Sequence, residues 1–420
     1  MPFPYIRPIS AFDQPNLMAG FRPNHLVDAA NRLRISTPLT LFEHNNQAGT
    51  NIFKWDKLTS GTGSVTDGSG STMGATFLST GGIVAGAKAI RATRYYIHQA
   101  SGKDIWAGQA FVFGNGTLGV VKRVGYYDDQ NGCFMEQFET TINLVVRRAG
   151  VDTKIPQGQW SDDNLDGNGP SGIVFNPAAG DTSFRVEMIG GIGIRFYLYI
   201  NNSFILIHSV PNVSRVVVIS TQTANLTLRS EIFNNTTAAA IDSLKVTGSN
   251  VFAEGAEEQV PAFIGAGGNG VSTVTVTTRR PILSIRANTL GINGIDRNFG
   301  QIVPQNLGIF TDAAIYLEAV YNGVLTGAAF SPVGATSVAS IDASATAITG
   351  GVVPFVTYVI AQGSGANAVE AIQIGGQNVF ERFPAVYSSL NNVQDIISIV
   401  ATAITGTAHV GAALNWTEIY

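Results

Sequence analysis

Charge is scarce in this chain, and its scarcity argues against nucleic-acid binding. Charged residues make up 13% of the 420 residues, against a usual share of about 25%. The 25 basic and 29 acidic residues are scattered, and no run of Lys and Arg marks a nucleic-acid site. We therefore expect no nucleic-acid partner.

Cysteine and clustered histidine are also missing. Cys133 is the single cysteine, so no intrachain disulfide can form, and we interpret it as a small buried hydrophobe. The five histidines show no metal-ligand spacing. The N-terminus lacks a basic segment followed by an apolar one, so we expect no signal peptide.

One apolar run raises the question of a membrane span. It extends from Ile396 to Leu414 and is interrupted by Thr402, Gly406 and His409. These interruptions and the β-branched residues favour two buried strands over a spanning helix, which needs about 20 apolar residues. We therefore predict no membrane insertion.

Glycine and β-branched residues are abundant instead. There are 47 glycines, and Gly and Asn suit turns as β-branched residues suit strands. The sequence predicts an all-β protein with two β-sandwich domains, jelly-roll-like or lectin-like, and an extended N-terminal arm. The predicted segments are an arm over residues 1–30, a sandwich over 31–252, a linker over 253–270 and a second sandwich over 271–420.

Three segments make this prediction specific. Asn201-Asn202 separates two apolar runs and predicts a hairpin with a two-residue turn. Phe134–Arg147 alternates as one long strand would, but Glu136 is a misfit on its apolar face. Several Gly residues and Pro261 between 253 and 270 are typical of a linker.

The loop from Gln159 to Gly172 is the most distinctive segment, since it combines three carboxylates with several glycines directly after Trp160. Asp162, Asn164 and Asp166 have the spacing that opens a calcium loop. Ile173 stands where an EF-hand carries its bidentate Glu, which excludes an EF-hand. We predict a different cation site at these three residues, for a hard cation such as Ca²⁺, and the alternative is a hydrogen-bonded connecting loop.

No set of residues predicts a catalytic centre. Asp128, Asp129, Glu136 and Glu139 offer carboxylate pairs of the kind that glycosidases use, but any β protein offers such pairs by chance. A group of aromatic residues would suit a sugar-binding platform, although core packing is their more common use. These residues are Tyr95, Tyr96, Trp106, Tyr126 and Tyr127.

The order of several motifs resembles that of tailed-bacteriophage virion structural proteins. Residues 31–42, Gly125–Asp128 and the Gln159–Gly172 loop occur in this order there, and the resemblance covers about residues 30–235. Residues 280–420 are similar to the C-terminal region often joined to it. The most specific element is the loop pattern W-x-x-D-x-L-D-G-x-G-x-S-G. Besides Leu165, its marker residues are Trp160, Asp163, Asp166, Gly167, Gly169, Ser171 and Gly172. Asn176 stands where the family has Asp, which argues against a shared metal site.

The resemblance implies a virion component that is not an enzyme and is assembled in the host cytoplasm. Its partners would be copies of itself and other virion proteins, and its role capsid decoration, a head or tail fibre, or a collar. Two alternatives stay open. The first is a receptor or glycan-binding module for host-surface glycans, and the second is a glycan depolymerase that uses Asp128 or Asp163 with a second carboxylate. No cofactor is expected apart from the cation of the loop.

Overall fold

A computed structural model describes most of the chain beyond residue 37. It describes residues 38–99, 103–189, 193–211, 221, 223, 225–254, 263–270, 272–292, 297–361, 370–372 and 384–419. The predicted arm over 1–30 lies outside these residues. Within them the chain forms antiparallel strands and short 3-10 helices such as Gly70–Thr72 and Gln157–Gln159, and no helix reaches seven residues. The all-β prediction is confirmed.

The first part of the chain forms two large sheets. Sheet A has eight strands, in the order β13-β12-β11-β6-β15-β4-β3, with β1 also paired to β15, and sheet B has seven, in the order β10-β9-β8-β7-β14-β5-β2. The strands are β1 Leu39–His44, β2 Trp55–Ser60, β3 Ser64–Asp67, β4 Thr76–Ser79, β5 Lys88–Thr93, β6 Ile105–Val112, β7 Val120–Tyr127, β8 Gly132–Phe138, β9 Thr141–Arg148, β10 Val151–Pro156, β11 Thr182–Ile189, β12 Gly193–Ile200, β13 Ser203–Pro211, β14 Leu228–Asn234 and β15 Ser243–Ala253.

Sheets A and B pack face to face as a β-sandwich. Side chains alternate between the two faces of a strand, and one face of each sheet supplies the common core. In β6, Ile105, Ala107 and Phe111 belong to that core. The residues between them, such as Trp106 and Gly108, therefore lie on the opposite, outer face of sheet A.

The rest of the chain forms a second sandwich. Sheet C has the order β16-β29-β19-β26, with β17 paired to β29 and β27 to β19, and sheet D has the order β22-β23-β18-β28-β20-β25. A small third sheet pairs β21 with β24. The strands are β16 Phe263–Gly268, β17 Val274–Val276, β18 Arg280–Ala287, β19 Gln301–Thr311, β20 Ile315–Tyr321, β21 Val324–Thr326, β22 Ser331–Pro332, β23 Ala339–Asp342, β24 Ala347–Thr349, β25 Val352–Val359, β26 Glu370–Ile372, β27 Ala385–Val386, β28 Ile396–Ala403 and β29 Ala408–Ile419.

The structure changes the interpretation of the predicted linker at 253–270. β15 continues to Ala253, and β16 pairs with β29. The glycines of β16 are there for packing, because a Cβ added to Gly265 would stand 2.2 Å from Cε2 of the Trp416 indole. Trp416 is fully buried, so the absence of a side chain at 265 lets the strand lie against the ring. Glycine in a strand was misinterpreted as glycine in a linker.

Two of the three local predictions can be compared directly with the strands. Asn201 and Asn202 have φ angles of 51° and 63° and connect β12 to β13, which confirms the hairpin. The single strand over 134–147 is wrong, because the chain turns at Glu139 (φ 53°) between β8 and β9. Glu136 is buried on the outer face of sheet B, where Arg123 Nε (2.9 Å) and Lys154 Nζ (2.6 Å) donate to its carboxylate.

The apolar run from Ile396 to Leu414 forms β28 and most of β29. These strands lie in different sheets of the second sandwich and supply core residues such as Ile397, Ile399 and Val410. The prediction of two buried strands is confirmed. No helix among the described residues is long and apolar enough to cross a membrane.

A network of buried polar groups joins the two sandwiches. Arg94, which follows β5, donates to Asp56 Oδ1 through Nη1 (2.6 Å) and to Asp395 Oδ2 through Nε (3.1 Å). The Tyr321 hydroxyl also donates to Asp395 Oδ2 (2.5 Å), and Ser388 donates to Asp56. Both aspartates are buried. We call these five residues the interdomain joint. Because a buried charge requires its partner, the joint resists separation of the two sandwiches.

Candidate functional site

The Gln159–Gly172 loop is anchored in the core of the first sandwich. The Trp160 ring is buried in that core, and its Nε1 donates to the Ile155 carbonyl at 3.2 Å. Leu165 enters the same core and is fully buried, although its φ of 49° lies in the left-handed region. Backbone strain of this kind costs about 1–3 kcal/mol and persists only where the surroundings enforce it. The loop is therefore held in place by its apolar residues.

Asp163 is the polar centre of the loop. Its carboxylate is buried, with Oδ1 accepting from the Leu165 N–H (2.9 Å) and Oδ2 from the Ser171 N–H (2.8 Å). These two bonds close the loop from one side to the other. Gly169 lies directly against this carboxylate, because an added Cβ would stand 2.1 Å from Asp163 Oδ1. The carboxylate thus acts as an internal brace.

Most of the remaining marker residues have a structural explanation as well. Gly167 and Gly172 have positive φ angles of 88° and 66°, which glycine adopts without steric penalty. The Gly167 N–H donates to the Ile173 carbonyl at 3.0 Å. Asp166 accepts from the Asn168 N–H at 2.8 Å, and this bond lowers the pKa of its exposed carboxyl. The loop pattern therefore encodes a fixed backbone conformation.

The three residues of the predicted cation site each serve a separate local turn. Asp162 accepts from the Ser161 hydroxyl (2.7 Å), and the Asn164 carbonyl accepts from Gln157 Nε2 (2.8 Å). Asp166 is exposed and caps the turn described above. In the described part of the chain no three His, Cys, Asp or Glu residues are grouped to hold a metal ion. The Ca²⁺ site stays a prediction.

A second candidate site lies on the outer face of sheet A. Strand register places Glu187, Trp106 and Phe252 side by side in one row. The next row holds Tyr197, Arg185, Gly108, Asn250 and Glu43. We call this surface, defined by the residues of these two rows, the outer sheet face. It combines aromatic rings with charged and amide groups, as surfaces that bind polar ligands do.

Arg185 is the centre of the outer sheet face. Its guanidinium carbon lies 3.9 Å from the ring centroid of Phe204, 5.1 Å from that of Phe252 and 5.5 Å from that of Trp106. Among the described residues it has no ion-pair or hydrogen-bond partner, and its buried Nε donates to nothing. Burial lowers the pKa of Arg185, and the charges of Tyr197 and Glu187 oppose that effect.

The acid beside Arg185 is engaged elsewhere. Glu187 is fully buried. Its Oε2 accepts from the Tyr197 hydroxyl at 2.8 Å and lies 3.3 Å from Arg195 Nη1. Burial, followed by the charge of Glu187, raises the pKa of Tyr197 far above its usual value, so the phenol stays a donor. Among the described residues, Arg185 therefore has no carboxylate in ion-pair contact.

A cavity of about 440 Å³ opens at Gly108, the neighbour of Arg185 on the paired strand. Its floor consists of small residues of sheet A, which leave the backbone accessible. Its lining includes Glu43, His44, Asn45, Gly108, Ser249 and Asn250. A Cβ added to Gly108 would stand 2.8 Å from Asn250 Oδ1 and 3.7 Å from Arg185 Nε. Gly108 therefore keeps open the point at which the amide and the guanidinium converge.

His44 forms the inner wall of this cavity. Burial lowers its pKa to about 4, with further contributions from the charges of Arg91 and Lys54. Its ring lies edge-on to Trp55 at 5.9 Å between centroids. Arg91 is fully buried, stacks 3.9 Å above the Trp55 ring and donates from Nη2 to Asn46 at 2.6 Å. At neutral pH this imidazole is therefore uncharged.

The structure shows core packing, the more common use, for most of the aromatic residues that could have formed a sugar-binding platform. Tyr126 and Tyr127 are fully buried, and the Tyr126 hydroxyl donates to the Ile97 carbonyl at 3.0 Å. Tyr96 packs edge-on to Phe299 of the second sandwich at 4.6 Å. Trp106 alone of the five lies on the outer sheet face. The others are too well packed in the described structure to present a ring to a sugar.

The predicted carboxylate pairs have structural partners. Asp128 Oδ1 accepts from the Gln130 and Asn131 N–H groups in a turn, and Asp129 pairs with Arg229 Nη1 at 2.7 Å. Glu136 is paired as described above, and Glu139 accepts from the Gly119 N–H at 3.0 Å. Cys133 is fully buried, and burial raises the pKa of its thiol well above the usual value, as expected for a structural cysteine.

Comparisons with known proteins give no family. No protein-family description matches the sequence, and no curated protein matches it. A family-16 glycosyl hydrolase from Mycobacterium smegmatis is 11% identical, with a TM-score of 0.35, and the match covers 51% of this chain and 100% of that protein. The apo Crh5 transglycosylase is 13% identical, with a TM-score of 0.37 and coverage of 53% and 88%. A β-1,3-glucanase from Mycobacterium marinum is 10% identical, with a TM-score of 0.36 and coverage of 51% and 98%.

These structures correct the prediction that the chain is not an enzyme. That prediction rested on the absence of a recognisable catalytic motif and on the family resemblance, but these similar structures are a hydrolase, a transglycosylase and a glucanase. At 10–13% identity and TM-scores of 0.35–0.37, the likeness assigns no activity to this chain.

Sequence reasoning missed Arg185, Glu187, Asn250 and the cavity beside them. The available signal was a polar residue at every second position of an otherwise apolar strand, as in Phe184–Met188. On one strand this pattern indicates a solvated face. The pattern indicates a candidate site only once the pairing of β11 with β6 and of β6 with β15 is known, because that pairing brings the polar positions together.

Proposed function

We propose that this protein is a structural component of a tailed-bacteriophage virion and acts by assembly. Its partners would be copies of itself and other virion proteins, and its place in the particle would be a capsid decoration, a head or tail fibre, or a collar. The motif order along residues 30–235 supports the proposal. The loop between Gln159 and Gly172 supports it as well, because the residues of the motif shared with virion proteins hold the backbone of this loop in one fixed conformation.

The observation that carries the proposal is an exposed apolar strip on the second sandwich. β25 is the edge strand of sheet D, and Val356, Tyr358 and Ile360 expose their side chains there, with Tyr358 70% and Ile360 74% accessible. Tyr316 of the neighbouring strand packs against Tyr358 at 5.3 Å. Soluble proteins protect such an edge with charge or proline. The segment Val352–Ile360 has no charged residue, and Pro354 is its only proline, so the backbone from Phe355 onward keeps its N–H donors.

A second copy of this chain is the occupant that we infer for the strip. An uncharged edge strand can pair antiparallel with an identical strand, which makes the contact self-complementary. The interdomain joint would transmit such a contact through both sandwiches as one body. Repeated contacts of this kind are what a particle component requires.

Two measurements test the proposal. Mass spectrometry of purified virions is expected to find the chain in stoichiometric amounts, and its absence would refute the virion role. Light scattering of the purified protein is expected to show an oligomer. Tyr358→Asp is expected to shift it toward the monomer, whereas Val324→Asp, an exposed apolar position outside β25, is the matched control. A monomeric wild-type protein would contradict pairing through β25.

Glycan binding is a second candidate function, favoured by the outer sheet face. Aromatic rings, an unpaired guanidinium, an amide and a cavity lie together there, and carbohydrate sites use such combinations. The function would be recognition of a host-surface glycan by the virion. A glycan array probed with the purified protein tests it, and uniform lack of signal would argue against this role without affecting the assembly proposal.

A further inference from the structure

We propose that the cavity beside Gly108 binds a carboxylated sugar residue of a glycan, with the Arg185 guanidinium binding its carboxylate. The inference rests on the glycan-binding candidate function and specifies the chemical class of the ligand. It follows from the environment of Arg185, from the rings around it and from the polar groups that converge on the cavity.

The positive charge of Arg185 determines the sign of the charge on the ligand. Glu187, two residues farther along the same strand, is engaged by Arg195 and the Tyr197 hydroxyl. Its charge offsets only part of the desolvation of Arg185, whose pKa stays lowered by burial, so an anion is favoured there. A carboxylate accepts two parallel N–H bonds from a guanidinium, which gives direction as well as affinity.

The rings of the outer sheet face hold Arg185 in place. The guanidinium carbon lies 3.9 Å from the Phe204 centroid and 5.1 Å from the Phe252 centroid, so cation–π contacts restrain the side chain. A restrained guanidinium loses little conformational entropy on binding. Phe204 is itself exposed, so an apolar surface is available for the face of a sugar ring.

The cavity provides the remaining recognition. Its volume of about 440 Å³ is sufficient for a sugar ring. Asn250 and Asn45 supply amide groups that donate to and accept from hydroxyls. Lys54, whose Nζ donates to the Glu43 backbone carbonyl at 2.8 Å, adds a second positive charge to the lining, which also contains the acidic Glu43. A hydroxylated anion matches this lining.

A larger cavity in the second sandwich has an arginine in its lining, Arg286, whose buried Nε has no partner in the described structure, but fewer rings surround it. It has a volume of about 600 Å³, and Arg286 lies 4.2 Å from the ring centroid of Phe330. Arg286 contacts one ring in the described structure, whereas Arg185 contacts three. Arg286 is therefore a suitable control, because it is also an arginine on an aromatic ring beside a cavity.

Binding of paired monosaccharides tests the inference. Galacturonic acid and galactose share a ring and differ at the carboxylate, as do glucuronic acid and glucose. Saturation-transfer NMR and calorimetry on the full chain are expected to show at least tenfold tighter binding of one of the acids than of its neutral counterpart. Arg185→Gln is expected to abolish that preference, and Asn250→Ala to weaken both sugars of the pair. Arg286→Gln should change neither, and equal melting temperatures would verify that the variants are folded.

The other outcomes distinguish failure of the carboxylate assignment from failure of the glycan-binding function. If acidic and neutral sugars bind equally, or if Arg185→Gln keeps the preference, the carboxylate assignment is overturned while glycan binding stands. If neither these sugars nor any glycan on the array binds, both are overturned. If Arg286→Gln removes the preference, the site lies in the second sandwich and the assignment to the first is wrong.

Discussion

Replacement of Asp163 by alanine should destabilise the first sandwich strongly. The substitution removes two buried hydrogen bonds, from the Leu165 N–H (2.9 Å) and the Ser171 N–H (2.8 Å), and leaves both donors without acceptors. A hydrogen bond to a charged group contributes about 1.5–3 kcal/mol to stability. The Ser171 N–H lies near the surface and can be hydrated, so we expect a loss of about 3 kcal/mol for the pair.

A loss of this size is measurable by calorimetry. A change of 1 kcal/mol shifts the melting temperature of a domain of this size by about 2–4 °C, so Asp163→Ala should lower it by about 6–12 °C. Asp163→Asn keeps an acceptor oxygen and should lose less. Gly169→Ala should also destabilise, since its Cβ would stand 2.1 Å from Asp163 Oδ1. Asp166→Ala is the control, because that carboxylate is exposed.

Calcium separates this explanation from the cation-site prediction. If the loop is braced internally, chelator and added Ca²⁺ should leave the melting temperature unchanged in the wild type. A shift of less than about 2 °C for Asp163→Ala would refute the brace. A stabilisation by Ca²⁺ that disappears in Asp162→Ala would instead establish the predicted cation site.

Three further perturbations test other parts of the structure. Arg94→Ala leaves the two aspartates of the interdomain joint buried without their cation and should lower the free energy of unfolding by about 3–5 kcal/mol. Calorimetry should then resolve two unfolding transitions. A single transition at the wild-type temperature would contradict a stabilising joint. The pKa of His44 is lowered to about 4, mainly by burial, so the unfolded chain binds a proton that the folded chain does not. The free energy of unfolding should therefore fall as pH drops from about 6.5 to 4. In His44→Gln the urea midpoint should depend less on pH across this range. An unchanged dependence would argue against the burial of this imidazole. Gly265→Ala forces a Cβ to within 2.2 Å of the Trp416 ring and should cost about 1–3 kcal/mol, whereas Gly158→Ala, with open space around it, should be neutral in the same urea titration.

The strands themselves were largely predictable from the sequence. The Asn201-Asn202 turn and the flanking apolar runs determine a hairpin locally, because two residues with positive φ match the twist of the strands. The break between β8 and β9 was not predicted. Alternation continues across it, and only the left-handed φ of Glu139 marks the turn.

Buried charged residues were the main source of error in the interpretation of the sequence. Glu136 conflicted with its apolar pattern because its partners, Arg123 and Lys154, come from the neighbouring strand and from β10. The same holds for Asp56 and Asp395, which are separated by more than 300 residues and share one arginine. Pairing over such sequence distances leaves no periodic signal in a single chain.

The sequence alone determined the all-β class, the turn-rich loop and the sparse charge, since these follow from local preferences of Gly, Asn, Asp and β-branched residues. The tertiary structure decided what those residues do. It turned Asp163 into an internal brace, placed Arg185 among three rings with no carboxylate partner in the described structure, and made the uncharged strand β25 the edge of sheet D as described. The physical reason is that burial, register and strand order set the electrostatic environment of a side chain, and these depend on contacts between distant segments.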